Sequence, residues 1–383
     1  MIQYISFYDH ELNKDENRAF SPAGKNVTEY VANAIGRLGY KVEIISPIQT
    51  KEKSGLYRGK QYNINNNVSV VLPPCFGASG IFGKILKRVW QKIIIYIFLF
   101  KRIKNDSVLI IYHSLSLLKF LSIISKIKKC KIILQVEEIY GDVENSEVIR
   151  KREMSAFKKV DAFIFPTNSL SNIINIDNKP NAIVYGDYSI KPLMVNKFND
   201  SKIHCLYAGT FDKSKGGVYN AIDASKFLND EYVMHILGFG SNLEIEEVKK
   251  AISLALERTN CKIIYEGLKS GDEFRNFVQK CDIGLSTQNP EGRYNDTSFP
   301  SKVLMYLTNG LDVVSVDLQV LHESKLENVL HISKSASGID IANAILKISP
   351  KNNSELNNEI LNELDYEFMQ NIDCVIRRFN NEI

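Results

Sequence analysis

A glycine- and lysine-rich stretch in the second half of the chain has residue types that bind phosphate. Residues 207–217 read YAGTFDKSKGG, between a strand-like run and a helix-like segment of small apolar residues. Glycines let the backbone approach a phosphate, the first turn of a helix offers unpaired amides, and a lysine adds a full positive charge. The alternative is a solvated turn in which Lys213 and Lys215 are incidental.

A second stretch with phosphate-compatible residues is NDTSFPSK, residues 295–302. Thr297 or Ser298 can cap a helix, which places Ser301 and Lys302 in its first turn. A cation there opposes the helix dipole unless an anion such as a diphosphate lies beside it. The alternative is a capped core helix with a surface lysine. The occurrence of two phosphate-compatible loops in one domain favours the anion site.

The surrounding elements predict an α/β protein with parallel sheets. Residues 25–38 place apolar side chains at helical spacing between two β-rich runs, 2–8 and 42–46, and this βαβ pattern implies parallel strands. Short continuous apolar runs, which are typical of strands buried on both faces, predict further strands at 68–72, 107–112, 131–135, 162–166, 182–185, 203–208, 232–237, 262–266, 283–286, 312–316 and 329–332.

The loss of periodicity over 187–202 predicts a linker between two doubly wound, Rossmann-like domains, 1–186 and 203–360. Residues 361–383 predict a C-terminal helix that can pack back on the N-terminal domain. Tandem domains of this class usually bind a ligand in a central cleft, which the carboxyl ends of both sheets face.

Composition excludes several classes of protein. The chain has 383 residues and a net charge of +4, which is too mild to imply a nucleic-acid partner. Its six cysteines are scattered singly, and no DxD motif or histidine cluster is present, so we expect no disulfide framework and no metal site. Residues 1–8 read as a strand rather than a signal peptide, which predicts a cytoplasmic protein.

Residues 81–104 combine basic, aromatic and strongly apolar side chains. The basic residues are Lys84, Lys87, Arg88, Lys92, Lys101, Arg102 and Lys104. Such a segment can lie in a membrane interface with its cations near anionic headgroups. That interpretation predicts peripheral contact with the inner face of the plasma membrane and a lipid-linked acceptor. The competing interpretation is a buried helix with basic flanks.

Several motifs of the second half carry a resemblance to a known family. They are the two segments above, GFG at 238–240, YEG at 265–267, and above all the run FPSK-x-x-x-Y-L-x-x-G-x-x-V-V-S that starts at Phe299. With the order of the strands, they resemble the family-four glycosyltransferases of the GT-B fold. The resemblance implies a retaining, metal-independent enzyme that uses a nucleotide sugar, in bacterial surface polysaccharide synthesis.

The resemblance also implies which residues hold the donor. Lys302 and Lys215 would contact its diphosphate, and Lys302 would act in catalysis. The further donor-binding residues would be Gly209, Thr210, Gly216, Gly238, Gly240, Glu266, Gly267, Thr297, Ser298 and Ser301. The sequence departs from the family at a pair of glutamates eight positions apart, which here become Thr297 and Met305. Asp296 is therefore the candidate for the lost catalytic carboxylate, with Glu291 also near.

In the N-terminal domain, which the resemblance makes the acceptor-binding domain, three places match cleft positions. Ser21 and Gly24 belong to an SPAG loop, which the sequence alone explains equally well as a helix cap. His113 follows a strand at the place of a family histidine near the donor sugar, although a structural role is the alternative. Glu137 and Glu138 follow the next strand and are candidates for binding acceptor hydroxyls.

The predicted function is therefore transfer of a sugar, of hexosyl type, from a nucleoside-diphosphate donor to a glycan or lipid-linked saccharide. A UDP-sugar is favoured over a GDP-sugar, and no further cofactor is expected. Two alternatives stay open: a sugar-nucleotide epimerase of the same fold, and a non-catalytic protein that binds a nucleotide sugar. The missing glutamates support the second of these.

Overall fold

The computed structural model describes residues 1–10, 13, 16–20, 22–348 and 354–379. They form two compact units. The N-terminal unit comprises Met1–Asp187 and Tyr366–Ile383, and the C-terminal unit comprises Tyr188–Asp365. Ser21, a predicted acceptor-binding residue, lies outside the described residues.

The N-terminal unit is built on a largely parallel sheet. Its elements are β1 (Ile2–Ile5), α1 (Pro22–Arg37), β2 (Val42–Ile45), β3 (Leu56–Tyr57), β4 (Lys60–Asn63), β5 (Val68–Leu72), β6 (Cys75–Phe76), α2 (Gly80–Arg102), β7 (Val108–Tyr112), α3 (Leu115–Lys128), β8 (Lys131–Gln135), α4 (Tyr140–Val143), α5 (Glu147–Phe157), β9 (Ala162–Phe165), α6 (Asn168–Ile174) and β10 (Asn181–Ile183). Among the described residues, the sheet runs β10-β9-β8-β7-β1-β2-β5-β4, with β4 antiparallel to β5.

The strand order of this sheet places its switch point between β1 and β7. Strands β1, β2 and β5 succeed one another in one direction, and β7 to β10 succeed one another in the other. This is the doubly wound order in which ligands bind beyond the carboxyl ends of the central strands. The central strands β1, β7 and β8 are buried on both faces over almost their whole length, as their continuous apolar runs predicted.

The C-terminal unit has a second sheet of the same type. Its elements are β11 (Ile203–Thr210), α7 (Gly217–Ser225), β12 (Tyr232–Phe239), α8 (Asn242–Leu256), β13 (Lys262–Gly267), α9 (Gly271–Lys280), β14 (Ile283–Ser286), α10 (Ser301–Leu307), β15 (Asp312–Val316), α11 (Gln319–His322), β16 (Leu330–Ser333), α12 (Gly338–Leu346) and the start of α13 (Ser354–Phe379). Within the described part of the unit, all neighbouring strands are parallel in the order β13-β12-β11-β14-β15-β16, so the switch point lies between β11 and β14.

Two segments outside the sheets differ from a simple linker and tail. Residues 187–202 form no helix or strand, but they hydrogen-bond to the C-terminal unit: the Met194 amide donates to Gln279 Oε1 at 2.9 Å. Helix α13 begins at Ser354 rather than 361. Its second half packs on the N-terminal unit, where the Phe368 ring lies 5.7 Å from that of Tyr30.

Helix α2 corresponds to the basic and apolar segment 81–104. The prediction of a buried helix is wrong, because most of its large apolar side chains are exposed and only Gln91, Ile95 and Leu99 are buried among its described residues. No helix in the described part of the chain is long and apolar enough to cross a membrane.

Candidate functional site

The first candidate site lies at the switch point of the C-terminal sheet. Strand β11 ends with Gly209 and Thr210, and a loop leads to Gly216, which caps α7 with a left-handed φ of 67°. The loop after β14 is tied to this turn, because the Asn289 amide donates to the Lys215 carbonyl at 2.8 Å. The glycine- and lysine-rich loop after β11 and the loop after β14 thus meet beyond the carboxyl ends of these two strands.

Lys302 reaches from α10 into this turn. Its Nζ donates to the hydroxyl of Tyr207 at 3.3 Å and lies 4.6 Å from the centre of the Tyr207 ring. A Cβ on Gly209 would lie 2.5 Å from Lys302 Cε, so a side chain at 209 would collide with the lysine.

The electrostatic setting of Lys302 suits an anion. Burial, together with a smaller effect of the charge of Lys215, lowers its pKa to about 8. Among the ion pairs of the described residues, no carboxylate lies within 4 Å of Lys302 Nζ. A desolvated ammonium beside a second cation gains most from an anion that can accept hydrogen bonds from both.

The glycines predicted to line the nucleotide pocket lie on neighbouring strands. Gly238 pairs in register with Gly209, and a Cβ on Gly238 would lie only 1.8 Å from the Gly209 carbonyl oxygen. Gly240 follows β12, and Gly267 ends β13 with a φ of 70°. The structure therefore brings these glycines together at the carboxyl ends of β11, β12 and β13.

Glu266, also predicted for the nucleotide pocket, is bound by a histidine that the sequence analysis missed. Its Oε1 lies 2.8 Å from His235 Nδ1. The other ring nitrogen of His235 lies 2.8 Å from His204 Nδ1, and His204 Nε2 lies 2.9 Å from Asp200. Burial lowers the pKa of His235, while the carboxylate of Glu266 opposes this shift.

The loop before α10 carries the other predicted donor residues. Asp296 is exposed at the end of a 3₁₀ turn, Thr297 and Ser298 are half-buried, and Ser301 is the first residue of α10. The predicted cap by Thr297 or Ser298 is wrong: Pro300 occupies the N-cap position, and no side-chain cap is formed. Proline disfavours helical geometry in Phe299, the residue before it, and Pro300 itself is extended with a ψ of 102°, so the helix starts at Ser301.

The second candidate site lies at the switch point of the N-terminal sheet. A cavity of about 500 Å³ opens beyond β1 and β7. Among its lining residues are Gly24, His113 and Glu138, which the sequence analysis predicted, together with Ser6 and Tyr112. Residues that lay far apart in the sequence therefore meet as expected for a doubly wound sheet.

His113 is held in this cavity as a buried imidazole. It is 2% exposed, and its ring stacks on Tyr140 with 4.6 Å between centres. Its Nε2 lies 3.4 Å from Oε1 of Glu153, a fully buried carboxylate that accepts the amide hydrogens of Tyr140 and Gly141. Burial lowers the pKa of His113 to about 4, against the effect of the Glu138 backbone, so its ring is neutral at pH 7. Glu153 was not predicted.

Glu137 stands at the end of β8 in a chain of polar side chains. Tyr4 donates to the amide oxygen of Gln135, and Gln135 Nε2 donates to Glu137 Oε1 at 2.5 Å. Burial, with a smaller contribution from the charge of Glu138, raises the pKa of Glu137 to about 7, although the hydrogen bond from Gln135 opposes this shift. Glu137 can therefore change its charge near neutral pH, which suits a group that binds hydroxyls.

Comparisons with known proteins give structural relatives but no sequence relatives. The chain matches no protein-family model. A search of curated proteins finds no match either.

The solved structures that resemble this chain share its full length. A sucrose-phosphate synthase from Thermosynechococcus elongatus matches with a TM-score of 0.68 at 10% identity, over 100% of this chain and 99% of that one. A UDP-forming α,α-trehalose-phosphate synthase from Burkholderia xenovorans, in complex with glucose-6-phosphate, matches with 0.65 at 10% identity and 99% of each chain. Anabaena HepE, in complex with UDP and glucose, matches with 0.62 at 12% identity, over 100% and 99%.

These relatives define the class of fold. The chain has the GT-B glycosyltransferase fold, with two Rossmann-like α/β domains. At 10–12% identity the likeness establishes the fold alone, and the family-four resemblance stays a prediction.

Proposed function

We propose that this protein is a glycosyltransferase that moves a sugar from a nucleoside-diphosphate donor to a glycan or lipid-linked saccharide. The observation that carries the proposal is the desolvated Lys302 beside Gly209, at the switch point of the C-terminal sheet. Transfer leaves a diphosphate with developing negative charge. Lys302, Lys215 and the first amides of α7 are the groups that stabilise this charge.

A UDP-sugar is the donor that the relatives favour. The Burkholderia relative is UDP-forming, and HepE was solved with UDP and glucose. The carboxyl ends of β12 and β13, with Gly238, Gly240 and Gly267, would hold the nucleoside. No divalent metal takes part in this proposal, and among the described residues no group of three acidic, histidine or cysteine side chains could hold one.

The N-terminal cavity is the proposed acceptor site. Gly24 and Glu138 line it, Glu137 would bind acceptor hydroxyls, and the neutral His113 would contact the donor sugar. Asp296 is proposed to replace the glutamate absent from position 297. The resemblance of the FPSK run to the family-four enzymes implies retention of stereochemistry, by attack on the same face as the leaving group, and a role in cell-surface polysaccharide synthesis, and both belong to this proposal.

Calorimetric titration with UDP and GDP tests the donor site. We expect selective binding of UDP, weakened by about 1.5–3 kcal/mol in Lys302→Ala, as for a hydrogen bond to a charged group. The matched control is Lys213→Ala, which removes the same charge from the neighbouring loop, where Lys213 is exposed and pairs with Glu247 at 3.6 Å. Equal losses in both variants, or no binding by any nucleotide, would contradict the proposed donor site.

Turnover separates a transferase from a binding protein. With UDP-glucose and a panel of saccharide acceptors, we expect release of UDP that depends on acceptor and is abolished in Lys302→Ala. Selective binding of UDP without release under any acceptor would instead favour the non-catalytic alternative. Conversion of the free nucleotide sugar without an acceptor would favour the epimerase.

A further inference from the structure

Helix α2 presents an apolar stripe to the outside of the N-terminal unit. Along its 23 residues, large apolar side chains recur at spacings of three and four, which aligns them on one face of a helix. The members of this stripe, which are 43–89% exposed, are Phe82, Leu86, Val89, Ile93, Ile97 and Phe100. Trp90 lies at its margin and is also half exposed.

The orientation of α2 is fixed by the opposite face of the helix. Gln91 Nε2 donates to the Pro74 carbonyl at 2.9 Å, and Lys87 Nζ donates to the Thr50 carbonyl at 2.7 Å. Ile95 and Leu99 belong to the core of the unit. The helix therefore cannot turn its apolar stripe inward without breaking these contacts.

The charge around the stripe has one sign. The sequence of α2 contains no acidic residue, and four of its basic side chains are exposed: Lys84, Arg88, Lys92 and Lys101. Helix α3 extends the surface, because Phe120 stacks on Tyr96 at 4.0 Å and Lys128 Nζ lies 5.1 Å from the Phe100 ring centre. Ile123 and Ile127 of α3 are exposed as well.

We infer that α2, with the adjoining part of α3, docks flat on a membrane surface rich in anionic phospholipid. Lys92 and Lys101 flank the stripe, whereas Lys84 and Arg88 lie toward the side of α2 that faces the protein. An exposed apolar stripe flanked by cations is the pattern of a helix that lies in the headgroup region, with its apolar face buried and its cations near phosphate. A second copy of this chain fits less well, because pairing two such surfaces would bring cations together. The inference goes beyond sugar transfer and does not depend on it.

Tryptophan fluorescence tests this inference directly, because Trp90 is the single tryptophan of the chain and lies on α2. On titration with vesicles of phosphatidylcholine and phosphatidylglycerol, we expect its emission to shift to shorter wavelength and the protein to sediment with the vesicles. Vesicles of phosphatidylcholine alone should bind far less. High salt should weaken binding, because it screens the attraction to the headgroups.

Two variants separate the apolar and the electrostatic contributions. Phe82→Ser with Val89→Ser shortens the stripe at exposed positions, and should reduce both vesicle binding and the wavelength shift. Lys92→Gln with Lys101→Gln, which removes the two cations that flank the stripe, should weaken partition by about 30-fold, since each basic residue near an anionic surface contributes about 1 kcal/mol. The matched controls on α8 are Leu243→Ser with Leu254→Ser and Lys249→Gln with Lys250→Gln, all at exposed positions, and both should bind vesicles as the wild type does.

Three results would overturn the inference: no binding to anionic vesicles, binding that the α2 variants leave unchanged, or a dimer in solution that the Phe82→Ser, Val89→Ser variant dissociates. The last result would assign the stripe to a second copy. Calorimetric titration of the same preparations with UDP keeps the two proposals separate. Failure of vesicle binding with UDP binding intact would reject the membrane surface alone.

Discussion

Lys302 occupies the space that Gly209 leaves by having no side chain. The Cε of the lysine would stand 2.5 Å from a Cβ at position 209, and its Nζ lies over the ring of Tyr207. The glycine and the lysine, 93 positions apart in the sequence, therefore depend on one another. We therefore expect that the missing side chain at position 209 is needed to place the Lys302 ammonium, in addition to its effect on the backbone.

Gly209→Ala should impair nucleotide binding by displacing Lys302. We expect UDP to bind about tenfold more weakly or worse, because a charged hydrogen bond contributes about 1.5–3 kcal/mol. Calorimetric titration gives the affinity. The control is Gly83→Ala, where the nearest atom to a new Cβ is 3.7 Å away. Unchanged affinity in Gly209→Ala would contradict this prediction, because it would show that Lys302 can shift without weakening nucleotide binding.

The lowered pKa of Lys302 predicts that nucleotide affinity falls in alkaline solution. The ammonium is charged below its pKa of about 8 and neutral above it, so its attraction for a diphosphate is lost as pH rises. If bound UDP keeps the lysine protonated, affinity should fall by about 30-fold between pH 7 and 9.5. Lys302→Arg should remove this dependence, because a guanidinium stays charged. A wild-type affinity that is flat to pH 9.5 would contradict the assignment.

Tyr306 fixes the end of β11, and its hydroxyl should contribute to stability. That hydroxyl accepts a hydrogen bond from the Ala208 amide at 2.8 Å, and the ring packs where Gly284 has no side chain. Tyr306→Phe leaves the buried amide unpaired and should cost about 1–3 kcal/mol. Hydrogen exchange of the β11 amides measures this loss. The control Tyr366→Phe, at an exposed tyrosine, should leave this protection unchanged. Protection of β11 in Tyr306→Phe equal to that in the wild type would refute the role of the hydroxyl.

Apolar patterning predicted the parallel strands of both sheets, because strands covered on both faces must be continuously apolar. It missed β4, whose residues Lys60–Asn63 are polar and only partly buried at a sheet edge. The tyrosine of the FPSK run, Tyr306, was predicted only as part of the motif that carries the family resemblance. The structure explains that tyrosine by its contact with Gly284, which no local pattern reveals.

The sequence did not predict which side chains contact one another in the two candidate sites. His204 and His235 meet because β11 and β12 pair in a particular register, which neither strand encodes alone. Glu153 lies in a helix with many charged residues, so nothing local marks it as the buried one that faces His113. For His204 and His235 the available signal was that each lies within an apolar strand, where a buried histidine usually has a polar partner.

His113 should make the N-terminal unit less stable in acid. Its pKa is about 4 in the folded state and about 6.5 unfolded, so the unfolded chain binds more protons between these values. Stability is therefore present above pH 6.5 and is lost as pH falls to 4, by up to about 3 kcal/mol. Urea unfolding followed by Trp90 fluorescence, which reports this unit, measures the loss. His113→Phe should reduce the dependence, and His322→Gln, in the other unit, should not; an unaltered slope in His113→Phe would contradict it.

The raised pKa of Glu137 predicts the acid side of the activity profile. The carboxyl group is ionised above its pKa of about 7, where it could accept the hydrogen bonds from acceptor hydroxyls that the proposed role requires. Its ionised fraction rises by about tenfold from pH 6 to 8, and acceptor kcat/KM should rise by about fivefold, because about half of Lys302 is already uncharged at pH 8. Glu137→Gln should abolish this rise without changing UDP affinity, whereas Glu144→Gln, at an exposed position nearby, should keep it.

Together, Glu137 and Lys302 predict a bell-shaped dependence of kcat/KM on pH, because transfer needs an ionised carboxyl group and a charged ammonium. The acid limb should vanish in Glu137→Gln, and the alkaline limb should vanish in Lys302→Arg. Each limb then belongs to a different unit of the chain and can be removed without the other. A single variant that removed both limbs would show that one coupled group controls the profile, and would contradict the separate donor and acceptor roles assigned to the two residues.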